Sequence, residues 1–235
     1  MTDRESILGH LEELRRRIFK SLIAIIVGGI VAFVFADGLR AFLEAPFREA
    51  SPGSSLQTLA ATEQWGVLMR IGLFGGVILA SPVILYQLWA FIVPALTQRE
   101  RRWAIPIVAA LVVLFIGGVL FGYWAAPRGL GFLLGIMDDV EANLRLGDYY
   151  SFILRFLIAF GAAFLYPVFL FAAAAAGVVS SEQLARSRRW AVLAVVVAAA
   201  LITPSGDAAN LLILSVPLYL MYEITYWLVR LVLGK

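Results

Sequence analysis

Four apolar runs of about 20 residues or more, near residues 18–36, 66–85, 105–126 and 152–179, constrain this chain more than any motif in it. A helix rising about 1.5 Å per residue needs about that length to cross a hydrocarbon core of about 30 Å, and in lipid only a helix or a closed barrel satisfies its own backbone. Two further runs follow. The first, 190–203, lies between Arg189 and Pro204 and reaches only about 21 Å, so it either thins the bilayer or is covered by neighbours. The second, 210–229, precedes a close at Arg230 to Lys235. With 62% hydrophobic and 15% charged residues and a mean hydropathy of +0.89, the chain lies far from soluble domains, where about half the residues are apolar. The reading is an all-α integral membrane protein, a single membrane domain over 1–235 with six transmembrane helices, the last two short. Pro82, Pro167 and Pro217 interrupt three spans, and such bends suit a curved, open shell better than a straight bundle.

Six spans put both termini on one side, and the basic residues choose it. Most of the nineteen Lys and Arg fall before the first span (Arg4, Arg15, Arg16, Arg17, Lys20), between the second and third (Arg99, Arg101, Arg102), between the fourth and fifth (Arg186, Arg188, Arg189) or at the end. The opposite loops carry few bases and the acids Asp138, Asp139, Glu141 and Asp148. Positive-inside therefore places both termini in the cytoplasm. Met1 to Ser6 is polar and acidic, unlike a cleaved signal peptide. The net charge of +3 is spread over segment ends, which argues against nucleic acid as a partner. No cysteine and a single His10 leave no thiolate or histidine-cluster metal site.

The loops have pattern too. Leu39, Phe42, Leu43, Pro46 and Phe47 share one helical face, as an interfacial helix on the outer surface would place them, and a turn follows at Pro52 to Ser55. Residues 127–144 carry a similar apolar side, so the third span is expected to continue as a helix beyond the membrane. Arg70 and Arg155, just inside the outer ends of their spans, are expected to snorkel. Glu223, in the last span, needs the rim or a basic partner from another segment.

Two segments stand out chemically. In residues 5–19, Ile7, Leu11, Leu14 and Ile18 form a helical stripe, with Ser6 where an N-cap would sit. Glu12 with Arg16 and Glu13 with Arg17 are then i,i+4 pairs, worth tenths of a kcal/mol on a solvated face. In residues 86–102, an aromatic-proline turn ends in Glu100 set among Arg99, Arg101 and Arg102. Taken alone, that is a topogenic charge cluster, with Phe91 an interfacial anchor and Pro94 a helix stop.

HLEELRRR before the first span, FIVPAL and RERR after the second, and TP, then D and PLYLMYE in the final hairpin together resemble the TatC family, the multispanning subunit of the twin-arginine protein translocase. The resemblance runs nearly end to end. It implies a receptor, in the bacterial cytoplasmic membrane, for signal peptides with two consecutive arginines. It further implies assembly, with itself and with single-span TatA- and TatB-type subunits, and export of folded proteins driven by the proton-motive force. Residue by residue, it implies that Glu13 and Glu100 are the recognition carboxylates and that Arg15, Phe91 and Pro94 belong to the same surface. A guanidinium presents a planar fork that a carboxylate accepts at two points, whereas lysine offers a point charge, so such a site should discriminate twin arginine from twin lysine.

Structural and partner-docking candidates are Pro46, Tyr166, Thr203, Pro204, Asp207 and Glu223. The chain departs from the family at Leu165, where relatives commonly carry a glutamate or glutamine; Tyr166 or Thr203 is the candidate to supply a weaker hydrogen bond to a partner helix. It departs again in TPSGD, which sets Asp207 one residue farther from Pro204 than a TPPD pattern would; Asp207 still suits a cap on that turn or the next helix.

Other classes fit less well. An intramembrane protease needs a serine-histidine pair or facing aspartates within the spans, and this chain has neither. An ion-coupled transporter wants ionisable groups near the midplane, which this chain lacks almost entirely, and often inverted repeats, so it is the runner-up reading; a membrane scaffold, the other alternative, leaves the two acidic motifs unexplained. The chain is thus read as a non-enzymatic transport protein.

Overall fold

The computed structural model describes residues 2–92, 104–135, 144–202 and 208–233. Among these the regular structure is helical apart from one parallel bridge between Gln57 and Arg145. The N-terminal amphipathic segment and the first apolar run form one helix, α1 (Thr2–Val34). Ser6 therefore lies inside α1 and does not cap it. A single turn residue, Phe35, separates α1 from α2 (Ala36–Ala50). The second run is α3 (Glu63–Ile92) and the third α4 (Ala104–Gly135), which continues past Pro127 as its apolar side requires.

The fourth run breaks into α5 (Leu146–Ala163) and α6 (Tyr166–Ala175). Pro167 has no N–H for the Ala163 carbonyl and its ring crowds that carbonyl, so the chain turns at Phe164 and Leu165 and restarts with proline in its first turn. Pro82 and Pro217, by contrast, sit inside helices that run on through them. Then come α7 (Ser181–Arg186), opened by a reciprocal Ser180–Gln183 capping box, α8 (Arg188–Ile202) and α9 (Ala208–Val232).

Four stretches are long and apolar enough to cross a membrane: Leu11–Val34, Glu63–Phe91, Ile105–Gly131 and Leu146–Ala175. The 15 residues of α8 are short, as expected. Helix α9 has 25 residues and runs past the expected 210–229 at both ends. Charge set the sequence boundary at Arg230, but the helix carries that arginine to Val232, because a long side chain lets backbone continue where its head leaves the apolar zone.

The centre of the fold is α5. Tyr149, Tyr150, Ile153 and Phe160 are fully buried there, against Val67 and Ile71 of α3 and Ala125, Ala126 and Leu130 of α4. Leu43, Pro46 and Phe47 of α2 are buried too, Leu43 and Phe47 in this same cluster. Much of the apolar face of α2 therefore packs on protein, while Phe42 stays exposed. Phe42 stacks on Tyr123 at 4.1 Å, the Tyr123 hydroxyl donates to the Phe42 carbonyl at 2.9 Å, and Tyr149 donates to the Leu43 carbonyl. The turn after α2 forms as expected, with Gly53 at φ +88° and Ser54 N–H donating to the Ser51 carbonyl at 3.2 Å.

The 57–63 segment is clamped to the start of α5. One Glu63 oxygen accepts from the Gly147 N–H and the Arg145 Nε, both at 2.8 Å, and the other accepts from the Leu59 N–H at 3.0 Å. Arg70 donates to the Gly147 carbonyl at 2.6 Å and to the Ser151 hydroxyl at 2.7 Å. Its head thus also ties α3 to the start of α5. Leu165 is buried in an apolar cluster with Leu85, Trp89, Leu111, Phe115 and Val168.

Candidate functional site

Helix α1 is held chiefly by α3. Their seam is glycine: a Cβ on Gly76 would stand 2.7 Å from the Gly29 nitrogen and the Ile25 oxygen, and one on Gly28 would stand 2.8 Å from the Gly76 oxygen. Only a residue without a side chain permits such approach, and it lets two apolar helices pack where lipid offers no hydrophobic drive. The helices run antiparallel, so this seam brings the start of α1 beside the end of α3.

Glu13 meets α3 there through Arg17. The Arg17 Nη2 and Nε donate to Glu13 Oε1 at 2.5 and 3.1 Å, and Arg17 Nη1 donates to Gln87 Oε1 at 3.4 Å. Glu13 is 35% exposed and Arg17 21%. Below this bridge a groove of about 330 Å³ runs between the helices, lined by Leu14, Arg17, Ile18, Ser21, Leu22 and Ile25 of α1 and Ile84, Gln87, Leu88 and Phe91 of α3. Almost all of its lining is apolar, with Arg17, Ser21 and Gln87 the polar exceptions. It could take an extended or helical apolar segment whose cationic end reaches the rim at Glu13.

Of the expected residues, Phe91 lines this groove, and Glu13 is tied to it through Arg17. Arg15 is not part of it: two residues from Glu13 it faces elsewhere on the helix, with its guanidinium 5.7 Å from the Phe19 ring centre. Pro94 and Glu100 lie outside the described residues, as do Thr203, Pro204 and Asp207. Sequence reasoning did not single out Gln87. Its signal was available, since Gln87 is a polar residue inside an apolar run, one helical turn before Phe91.

At the C-terminal helices, Glu223 finds the basic partner it needs. Arg188 of α8 donates to it at 2.8 Å, the Tyr219 hydroxyl donates at 2.8 Å, and the Arg188 guanidinium lies 4.6 Å from the Tyr226 ring centre. Tyr166 donates its hydroxyl to the Leu218 carbonyl, so in this structure its donor is used within the chain. Pro46 is buried inside α2.

The family model for the Sec-independent protein translocase protein (TatC) matches residues 9–217. A TatC of Aquifex aeolicus (strain VF5) is 40% identical over 230 residues, which is 96% of this chain and 95% of that protein. A chloroplastic TATC of Arabidopsis thaliana is 37% identical over 228 residues, 96% of this chain and 66% of that protein. Among solved structures, a crystal structure of the twin-arginine translocase receptor TatC in the detergent DDM superposes with a TM-score of 0.81 at 39% identity, covering 94% of this chain and 100% of that one. A second crystal structure of that receptor gives a TM-score of 0.78 at 40% identity. These matches run across nearly the whole length: the chain belongs to the TatC family, as a membrane transport subunit of the Sec-independent protein translocase and not an enzyme.

Proposed function

We propose that this subunit is the signal-peptide receptor of its translocase, binding twin-arginine signals at the rim shared by α1 and the end of α3. One observation carries the reading. The Glu13–Arg17–Gln87 bridge sets the N-terminal acidic motif beside an apolar groove that Phe91 helps to line. A signal peptide of two arginines followed by an apolar stretch has the complementary order. Glu13 and Glu100 each accept one guanidinium, Phe91 and Pro94 belong to the same surface, and Arg15 contributes from elsewhere on α1.

The chain is one membrane domain of six spans in the bacterial cytoplasmic membrane with both termini cytoplasmic, supported by its basic residues on the terminal side. Its outline is a curved, open shell. The exposure of α1 supports this: 6% of its span is buried, against 44% of the α5–α6 span. Helices α8 and α9 dock the single-span TatA- and TatB-type partners, with Tyr166, Thr203, Pro204, Asp207 and Glu223 framing that surface and Pro46 holding the outer end. The short α8 thins the bilayer locally. Folded proteins then cross at the expense of the proton-motive force.

Site-specific photo-crosslinking from positions beside Glu13 and Glu100 to a twin-arginine precursor tests the receptor role. Crosslinks should form with the native precursor and fade when it carries twin lysine or when both glutamates are changed to alanine. Crosslinks unchanged by either substitution would sink the proposal.

A further inference from the structure

We infer that Arg17 is an internal stand-in for the incoming arginine, occupying the Glu13 acceptor when no signal peptide is bound and setting how tightly any signal can bind. The inference rests on the receptor reading given above. Its geometric basis is the mode of contact. Arg17 applies the side edge of its guanidinium, Nε and Nη2 together, to the single oxygen Oε1 of Glu13, and an arginine arriving from outside seeks a carboxylate with that same edge.

Arg17 is also placed to yield. Its third nitrogen, Nη1, already reaches Gln87 Oε1 at 3.4 Å, a long contact that can shorten when the side chain swings off Glu13. Gln87 is neutral and cannot hold a guanidinium as strongly as a carboxylate does, so it serves as a parking place and not a rival acceptor. Arg17 is half-buried, with its stem lining the groove, so the movement is a pivot of the head group over a fixed base. An ordinary solvated i,i+4 pair would need no such second acceptor on another helix.

An internal competitor has a defined thermodynamic signature. It reduces the fraction of molecules ready to bind, and so weakens every ligand of that acceptor by the same factor. Ion pairs at i,i+4 spacing are modest, so the factor is about two- to fivefold. Removing the competitor should tighten twin-arginine and twin-lysine peptides alike, leaving their ratio unchanged. Simple removal of a nearby positive charge would act differently on R17K, which keeps the charge and loses the planar edge.

The test uses the full chain in lipid nanodiscs and fluorescent peptides carrying either two arginines or two lysines ahead of one apolar stretch. Equilibrium binding is measured for the native chain, Arg17→Gln, Arg17→Lys and Glu13→Gln. R17Q is expected to bind both peptides about two- to fivefold more tightly, with R17K moving in the same direction. If R17Q binds no better than the native chain while E13Q still weakens binding, the stand-in role is overturned and the receptor reading stands. A gain for R17Q with none for R17K would reduce the effect to charge removal and overturn it as well. If E13Q leaves binding unchanged, the receptor reading itself fails and takes this inference with it. Should R17Q fail to fold, R17K, which keeps the stem in the groove and the charge at the rim, carries the test alone.

Discussion

Glu223 and Glu13 are carboxylates on long apolar helices, and each is met by an arginine. For Glu223 the partner comes from a different helix, and a tyrosine supplies a second bond, an arrangement suited to holding α8 on α9. For Glu13 the partner comes from its own helix, one turn on, and leans towards α3, an arrangement suited to exchange. Spacing alone showed the Glu13–Arg17 pair and showed that Glu223 required a cation. It could not name Arg188 or Gln87, because partners on other helices depend on packing that no local period encodes. Tyr149 makes a related point, since its buried hydroxyl bridges α5 to the Leu43 carbonyl of α2. Tyr149→Phe keeps the ring and removes that bond. It should cost about 1–2 kcal/mol in unfolding experiments in detergent, with unchanged helical content.

Helices as elements were largely legible, and their surroundings were not. Apolar length located α1, α3 and α4, and Pro167 marked where the fourth run breaks into α5 and α6. For α2 the apolar face was evident, yet the sequence could not say whether lipid or protein would cover it, since an aliphatic face suits either. The protein covers much of it, with Leu43 and Phe47 in the main core. The α1–α3 seam was missed for another reason: glycines carry no hydropathy signal that separates a close crossing from a loose one. Gly76→Ala tests the seam. The new methyl would meet backbone at 2.7 Å, so α1 must shift, at a cost of about 1–3 kcal/mol, and crosslinking from beside Glu13 should fall. Gly117→Ala, with nothing within 4 Å of its added carbon, should be tolerated in both readouts.

For the whole molecule, basic-residue asymmetry and the order of the motifs carried the sequence reading to the TatC family, and the family and structural matches bear that out. What the linear order could not supply was which of its candidate residues meet in the fold. It names Phe91, which lines the groove, Glu13, which reaches it through Arg17, and Arg15, whose guanidinium lies by the Phe19 ring instead. The contact between Glu13 and a signal-peptide guanidinium is the centre of the account, and a double-mutant cycle measures it most directly. Binding of twin-arginine and twin-lysine peptides is compared in the native chain and in Glu13→Gln. The native chain is expected to prefer arginine by about tenfold, the scale of one charge-assisted hydrogen bond, and the preference to shrink markedly in E13Q. A preference of equal size in both proteins would mean that Glu13 does not read the arginines, and would contradict the receptor reading.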